Sequence, residues 1–471
     1  MGKNRFLIIE CVSLGAILCS TLAFFGISGF ALKPAYGETY LGEFKHKVSL
    51  LEKKSEEKRI IFVGGSAVAF GINSKLINSN LNGYKAVNFG LYASLGSRIM
   101  MDIVSKNIQD GDLVILMPEQ DSQMLSLYFN GESTWQALDG DFHTLKYLSY
   151  DNYSSLIASY PKFALSKIKY NFNPLNIDGI YKRDSFNEYG DIESSLRDAN
   201  IMYPKYYDDV NRVSFDADII SSNFIDYANE FNKSVTKKGG EVFYYFPPMN
   251  VDSLIDKSYS SVDDYYSYLC DELDFPIMGN PHNSLMKPLW FYDTNYHLNT
   301  SGSVVYTKQV IKDIKVLLND SSKTEITEPE MPTPVVDEGD GDNSYAECFD
   351  YSEKDNGIIL TGLKGDFEEV VLPYRINNKI VTSFSCELFK NNKAIKKITF
   401  QENITKIDDY SFDGCTNLNS IILKQTLPSK IKIGSNLLDG TNAIIYVPES
   451  SLSTYLSDYS WNKYASRISS I

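Results

Sequence analysis

Histidine is scarce in this chain of 471 residues. Only His46, His143, His282 and His297 are present, so chemistry that needs an imidazole has four places to find one. The six cysteines include no Cys-x-x-Cys pair, which removes the usual spacing of a zinc ribbon or a dithiol site. Cations are outnumbered: 45 Lys and Arg face 60 Asp and Glu, a net charge of -15. A surface of that sign repels the phosphate backbone that nucleic-acid-binding proteins must neutralise, so nucleic acid is not an expected partner. Beyond residue 32 there is no second apolar run long enough to cross a bilayer. Apolar residues are not in short supply, however. At 43% hydrophobic and 22% charged, the composition excludes a wholly disordered chain. The length leaves room for roughly two to three domains.

The first positive signal is N-terminal. Lys3 and Arg5 precede an apolar stretch, and the 22 residues from Cys11 to Leu32 carry no charge. As a helix such a run spans ~33 Å, enough for a hydrocarbon core of ~30 Å. Residues 1–32 are therefore expected to be a transmembrane anchor with its basic tip in the cytoplasm and the rest of the chain outside. Cleavage near Ala35-Tyr36-Gly37 is the alternative. Residues 33–58 are charged and are expected to form a helical stalk. The expected location is the cell membrane, single-pass, with the remaining domains extracellular.

A second boundary falls at residues 320–345. This segment is acidic, rich in proline and nearly free of lysine, the composition of a self-repelling linker. Beyond it, residues 346–471 carry an internal repeat. IVTSFSCELFKNNKAIKKITF (380–400) aligns with the stretch beginning at Asn403, NITKIDDYSFDGCTNLNSIIL, at an offset of 23 residues. Val381, Phe384, Phe389, Ile395, Ile398 and Phe400 correspond to Ile404, Ile407, Phe412, Leu418, Ile421 and Leu423, all apolar. A degenerate third copy runs from Lys430 through Ile433, Leu438 and Ile445. Apolar positions at a fixed offset of 20–29 residues are a solenoid signature, because each unit hides its apolar face only against its neighbours. The segments GIILTGLKGDFEEVVLP, ITKIDDYSFDGCTNL and the closing IYVPESSLSTYLSDYSWNKYASRI resemble bacterial leucine-rich repeats of the BspA type, the last as a terminal cap. The resemblance implies a surface module with a possible protein or glycan ligand; a spacer without a ligand is the plainer alternative. Cys348, Cys386 and Cys415 are expected to be core cysteines rather than disulfides.

Residues 59–319 alternate strand and helix signals. Short apolar runs at 59–63, 85–88, 113–117 and 241–246 are separated by segments of helical periodicity. That pattern predicts an α/β fold, a doubly wound parallel sheet, with active residues at the carboxyl ends of the strands. Gly64-Gly65-Ser66 follows the first strand, Asn88-Phe89-Gly90 ends the second, and Glu119-Gln120-Asp121 follows the third. Near the end of the domain, Asp293 and His297 share one short loop before a helix. A serine becomes a nucleophile when a base takes its proton and an acid orients that base.

In their order along the chain, GGS (64–66), NFG (88–90) and HLNTSG (297–302) resemble the serine, glycine and terminal blocks of the SGNH, or GDSL-like, hydrolase superfamily. Within it the likeness is to membrane-anchored, envelope-facing members. The resemblance covers about 59–121 and 240–318 and leaves 122–239 as an insertion. It implies an ester hydrolase or acyltransferase with Ser66 as nucleophile, His297 as base and Asp293 as orienting acid. The oxyanion donors would be Ser66, Gly90 and Gln120. The sequence departs from the family in having Gly65 where Asp is usual, Gln120 where Asn is usual, and three residues between Asp293 and His297 instead of two. The implied substrate is an acyl ester of cell-envelope polysaccharide, and no metal or organic cofactor is implied. A non-catalytic surface binding or adhesion protein is the alternative. Arg98, as an anion contact, and Tyr128, Phe129 and Trp135, as sugar-stacking aromatics, are lesser candidates, as are His143 and His282.

Overall fold

Four short apolar runs become strands β1 (Lys58–Gly64), β2 (Tyr84–Gly90), β3 (Leu113–Met117) and β4 (Glu241–Tyr244). They pair in the order β2-β1-β3-β4, and every pair is parallel, as is the separate short pair β5 (Met249–Asn250) and β6 (Leu285–Met286). The computed structural model describes residues 2–177, 179–193, 197–202, 205–255, 260–333, 345–354, 357–377, 379–434 and 436–471. It divides into two compact units, Met1–Val336 and Asp337–Ile471.

The helices of the first unit are α1 (Gly2–Gly26), α2 (Phe44–Glu52), α3 (Ser66–Gly71), α4 (Ser74–Asn80), α5 (Ser97–Lys106), α6 (Gly131–Ala137), α7 (Tyr153–Phe172), α8 (Ser222–Thr236), α9 (Ser260–Glu272) and α10 (Thr300–Leu317). Alternate strand residues face opposite sides of the sheet. Ile61, Val63, Val114, Leu116 and Val242 join a core with Ile99 and Ile103 of α5 and Phe224 and Ala228 of α8. Their neighbours Ile60, Phe62, Leu113, Ile115 and Phe243 join another with Ile77 of α4 and Val310 and Ile314 of α10. Because both faces are covered, the strands read as continuous apolar runs. The α/β fold with a parallel sheet expected from the sequence is present, with helices packed on both faces of that sheet.

Residues 33–58 differ from the expected stalk. Tyr36, Tyr40, Phe44, Val48 and Leu51 are buried in the unit. Phe44, Val48 and Leu51 stand at helical spacing, so α2 turns an apolar stripe inward beneath its charged face. Even Lys47 is buried, donating to the carbonyls of Asn88 (3.1 Å) and Gly190 (2.5 Å). The insertion 122–239 is likewise built in: Leu125, Trp135, Phe163 and Phe224 belong to the same core as the sheet. The first part of the expected linker lies on the α/β unit, with Ile326 buried and Glu328 paired to Lys308 at 2.9 Å. Residues 334–344 of that linker lie outside the described residues.

The second unit is a stack of mostly parallel strands. β7 (Phe349–Lys354) and β8 (Gly357–Leu363) open it, followed by β9 (Glu369–Val371), β10 (Arg375–Ile376), β11 (Lys379–Phe384), β12 (Lys397–Phe400), β13 (Lys406–Ile407), β14 (Ser420–Leu423), β15 (Lys432–Ile433), β16 (Ile444–Val447) and β17 (Ile468–Ser470). Strands β9, β12, β14, β16 and β17 form one ladder, and β7 with β8 and β10 with β11 pair antiparallel. Ile398 pairs with Ile421 and Phe400 with Leu423, which is the 23-residue offset of the sequence repeat. All twelve repeat positions are buried in one core. The closing segment caps the stack: α11 (Leu452–Ser457) brings Tyr455 against Trp461, both fully buried, and β17 then joins the ladder. Cys415 is buried, its thiol donating to the Phe389 carbonyl, whereas Cys386 is exposed rather than in the core.

Candidate active site

β1 ends on Gly64 at the carboxyl edge of the sheet, and α3 begins two residues later at Ser66. A Cβ at Gly64 would come within 2.2 Å of the Met117 carbonyl, so only glycine lets β1 and β3 finish side by side here. From the far end of the domain, the 291–298 loop reaches the same edge. There Phe291 bridges Leu298, and the Tyr292 amide donates to the His297 carbonyl at 2.7 Å. Asn299 is fully buried and anchors the loop. Its side chain caps α10 through the Gly302 amide (2.8 Å) and donates to the Leu289 carbonyl (2.7 Å). Gly302 is obligatory in this motif, since a Cβ there would lie 2.2 Å from the Trp290 carbonyl.

The two ends meet in a relay. Ser66 Oγ lies 2.7 Å from His297 Nε2, and His297 Nδ1 lies 2.9 Å from Asp293 Oδ1. A carboxylate only accepts, so Nδ1–H donates to Asp293, which leaves Nε2 to accept the serine proton. The third intervening residue is accommodated because Thr294 Oγ1 accepts from the amides of both Tyr296 (3.2 Å) and His297 (3.1 Å), closing a turn. Phe70 stacks flat on the imidazole, with centroids 4.1 Å apart and planes at 7°. Tyr181 donates its hydroxyl to the second oxygen of Asp293, and burial pushes that phenol far above its usual range. Ser66 and His297 are both almost closed off from solvent.

The expected oxyanion donors are arranged differently. The Gly90 amide donates to Asn88 Oδ1 at 2.9 Å, so it is already satisfied. Glycine is needed there for packing, because a Cβ would sit 2.4 Å from the Ala69 nitrogen on α3. The Gln120 side chain is fully buried beside the Tyr265 phenol. Consecutive residues leaving a strand point to opposite sides, and it is Glu119 that faces Ser66. Glu119 Oε1 accepts the Ala67 amide at 2.7 Å and stands 3.3 Å from Ser66 Oγ. Its other oxygen is buried without a partner. A Cβ at residue 65 would lie 2.0 Å from that oxygen, so Gly65 and Glu119 form a matched pair. Burial, then repulsion from Asp121, pushes the Glu119 carboxyl up to about 8.

Several supporting residues were not among those the sequence singled out. Asp191 accepts from Asn88 Nδ2 (2.8 Å) and from the Ser74 hydroxyl (2.7 Å), fixing the strand end that faces α3. Burial raises the Asp191 carboxyl and lowers the nearby Lys47 ammonium to about 8. Arg197 donates to the carbonyls of Phe70 (2.6 Å) and Leu298 (2.9 Å), tying α3 to the histidine loop. Lys47 has a helical apolar frame around it as a sequence clue; Tyr181, Asp191 and Arg197 lie in the insertion and have none.

The lesser candidates are occupied elsewhere. Arg98 pairs with Asp151 at 2.6 Å, His143 with Asp141 at 2.5 Å and His282 with Asp263 at 2.7 Å. Trp135 packs among Tyr160, Phe163 and Phe30. Phe129 is partly buried against the same core, and Tyr128 is exposed.

Residues 372–470 match the BspA type leucine rich repeat region in six copies. The second unit therefore carries that repeat. Among solved structures the chain is similar to a leucine rich cell surface protein from Faecalibacterium prausnitzii, at 19% identity and a TM-score of 0.18, over 23% of this chain and 32% of that one. It is also similar to a T. pallidum leucine rich repeat protein, at 18% identity and a TM-score of 0.17, over 23% of this chain and 71% of that one. No curated protein matches the sequence.

Proposed function

We propose that the chain is a membrane-anchored, envelope-facing serine hydrolase or O-acyltransferase of the SGNH type. Its substrate class would be acyl esters of cell-envelope glycan, with the repeat unit as a surface-binding module. The observation that carries this reading is the unbroken hydrogen-bonded relay from Ser66 through His297 to Asp293. Ser66 Oγ attacks the ester carbonyl while its proton passes to His297 Nε2. Asp293 stabilises the imidazolium that forms. The carbon–oxygen bond to the alcohol breaks, the alcohol leaves with the proton from His297, and the acyl group stays on Ser66. Water or a sugar hydroxyl then gives its proton to His297 and takes the acyl group, which restores Ser66.

Charge developing on the carbonyl oxygen needs donors. The Ser66 amide at the start of α3 is one. Glu119 supplies the other as a neutral acid, through an O–H on the buried oxygen that has no partner. A carboxylic acid held neutral by burial is a hydrogen-bond donor, whereas its anion opposes an oxyanion.

The test is turnover of 4-nitrophenyl acetate by the detergent-solubilised full chain. The expected result is hydrolysis that Ser66→Ala abolishes and that Asp293→Asn lowers by about 10²–10⁴. Adding a glycan acceptor would divert acetyl to sugar if transfer is the physiological step. Turnover unaffected by Ser66→Ala would overturn the reading.

A second reading is a non-catalytic surface binding protein. The repeat match favours it, and so does the Gly90 amide that is already taken. Binding to envelope glycan or a protein ligand, unchanged by Ser66→Ala and without turnover, would select it.

A further inference from the structure

The outer face of α7 breaks the usual rule for a surface helix. A helix on a globular unit turns polar residues outward. In α7, Ile157, Pro161, Leu165, Ile168 and Phe172 recur at intervals of three or four residues, on the side away from the core. Ile157 is 71% exposed and Phe172 87%. Just before the helix, Tyr150 is 90% exposed. The buried side of α7 is formed instead by Leu156, Phe163, Ala164 and Lys167.

Charge on this helix is equally unusual. The protein carries a net charge of -15, yet the twenty residues of α7 contain three lysines and no Asp or Glu. Lys162 and Lys169 are exposed and border the apolar stripe, Lys162 paired with Glu132 at 2.6 Å, and Lys33 is exposed at the end of the apolar N-terminal segment.

The same helix holds the end of that segment. Ile9–Ala31 is long and apolar enough to cross a bilayer and is barely buried in the protein. Its last residues, Ile27–Ala31, form a π-turn docked on α7. The Tyr160 hydroxyl donates to the Phe25 carbonyl (2.9 Å), and Lys167 Nζ donates to the Gly29 carbonyl (2.9 Å). Phe30 packs on Tyr160 with centroids 5.4 Å apart. At ~100° per residue, Tyr160, Lys167 and Ala164 lie on the arc of α7 next to the Ile157 stripe, with Lys162 and Lys169 beyond it. The segment leaves the protein beside the exposed apolar stripe, without an intervening tether.

We infer that the outer face of α7 lies in the headgroup layer of an anionic membrane, the membrane that α1 crosses. The apolar stripe enters the acyl boundary, and Lys169 and Lys33 meet lipid phosphates. This inference rests on α1 remaining attached as an anchor. It holds the site's unit against the lipid surface and does not depend on what that site catalyses.

The test uses the full chain in nanodiscs of phosphatidylcholine and phosphatidylglycerol, with or without brominated acyl chains. Tryptophan fluorescence added by Ile157→Trp and by Phe172→Trp is compared with that of the wild type. Phe24→Trp on α1 serves as the membrane-inserted reference and Val316→Trp on α10 as the solvent reference. Bromolipid is expected to reduce the added fluorescence of Ile157→Trp and Phe172→Trp by about twofold, for residues at the headgroup boundary. No reduction is expected at residue 316. Quenching at 24 with none at 157 and 172 overturns the docked face and leaves the anchor standing. No quenching at 24 overturns both.

Discussion

The two units bury polar groups differently. Inside the α/β unit, Lys47, Arg59, Asp112, Glu119, Lys167, Asp191 and Arg197 are all buried. Arg59 grips Asp112 through two contacts, at 3.0 and 2.5 Å, and Lys167 meets Asp139 at 2.6 Å. In the repeat unit, the described buried polar residues are all uncharged: Thr399, Gln401, Asn403, Ser411, Gln425, Thr441 and Ser451. Its ion pairs, such as Lys379 with Glu353 and Lys397 with Glu369, are half-exposed. A buried charge is costly unless it is fully partnered. The repeat unit thus rests on apolar stacking, whereas the α/β unit carries costly groups that fix its strand ends and loops: Glu119, Asp191 and Arg197 on the Ser66 side, Arg59 with Asp112 at the amino ends of β1 and β3, and Lys167 on α7.

Asp112→Ala would leave Arg59 buried without its partner and is expected to destabilise the α/β unit by about 3–5 kcal/mol. Amide hydrogen exchange should show the loss in β1 and β3 and leave β12 and β14 unchanged. Ile421→Ala in the repeat core should cost about 2–5 kcal/mol through the lost burial and the cavity, with the reverse exchange pattern.

Glu119→Gln removes a buried titratable group beside Ser66. The folded Glu119 carboxyl titrates near 8, against an ordinary 4.5. Between those values the folded state holds a proton that the unfolded state has released, so stability falls as pH rises through this window. The Gln variant should lose that fall, which thermal melts at pH 5 and pH 8.5 would detect. Its turnover should also persist above pH 8, where the wild type declines as the carboxylate forms. The smallest effect is expected for Lys379→Ala. Removing this half-exposed pair should change denaturant stability by less than about 1 kcal/mol.

Legibility in the sequence follows the same divide. The repeat was readable because its 23-residue offset is also its ladder register, so each apolar position meets its own copy one turn away. The strand ends bearing Ser66 and the loop bearing Asp293 and His297 were readable because local turn chemistry fixes them. The stalk reading of 33–58 failed because charge masked the Phe44, Val48 and Leu51 stripe of α2. The expected roles of Gly90 and Gln120 depended on which way side chains and amides turn after a strand. Glu119 facing Ser66 reverses that register by one residue. Tyr181, Asp191 and Arg197 reach the site from the insertion, over 100 residues from most of their partners, and no periodicity marks such contacts.

The most direct measurement of the central claim is labelling of the full chain by a fluorophosphonate probe, with the modified peptide identified by mass. Covalent attachment at Ser66, lost in Ser66→Ala and strongly slowed in His297→Ala, is the expected result. A folded wild type that stays unlabelled, or that labels equally in both variants, would contradict an activated serine at this site.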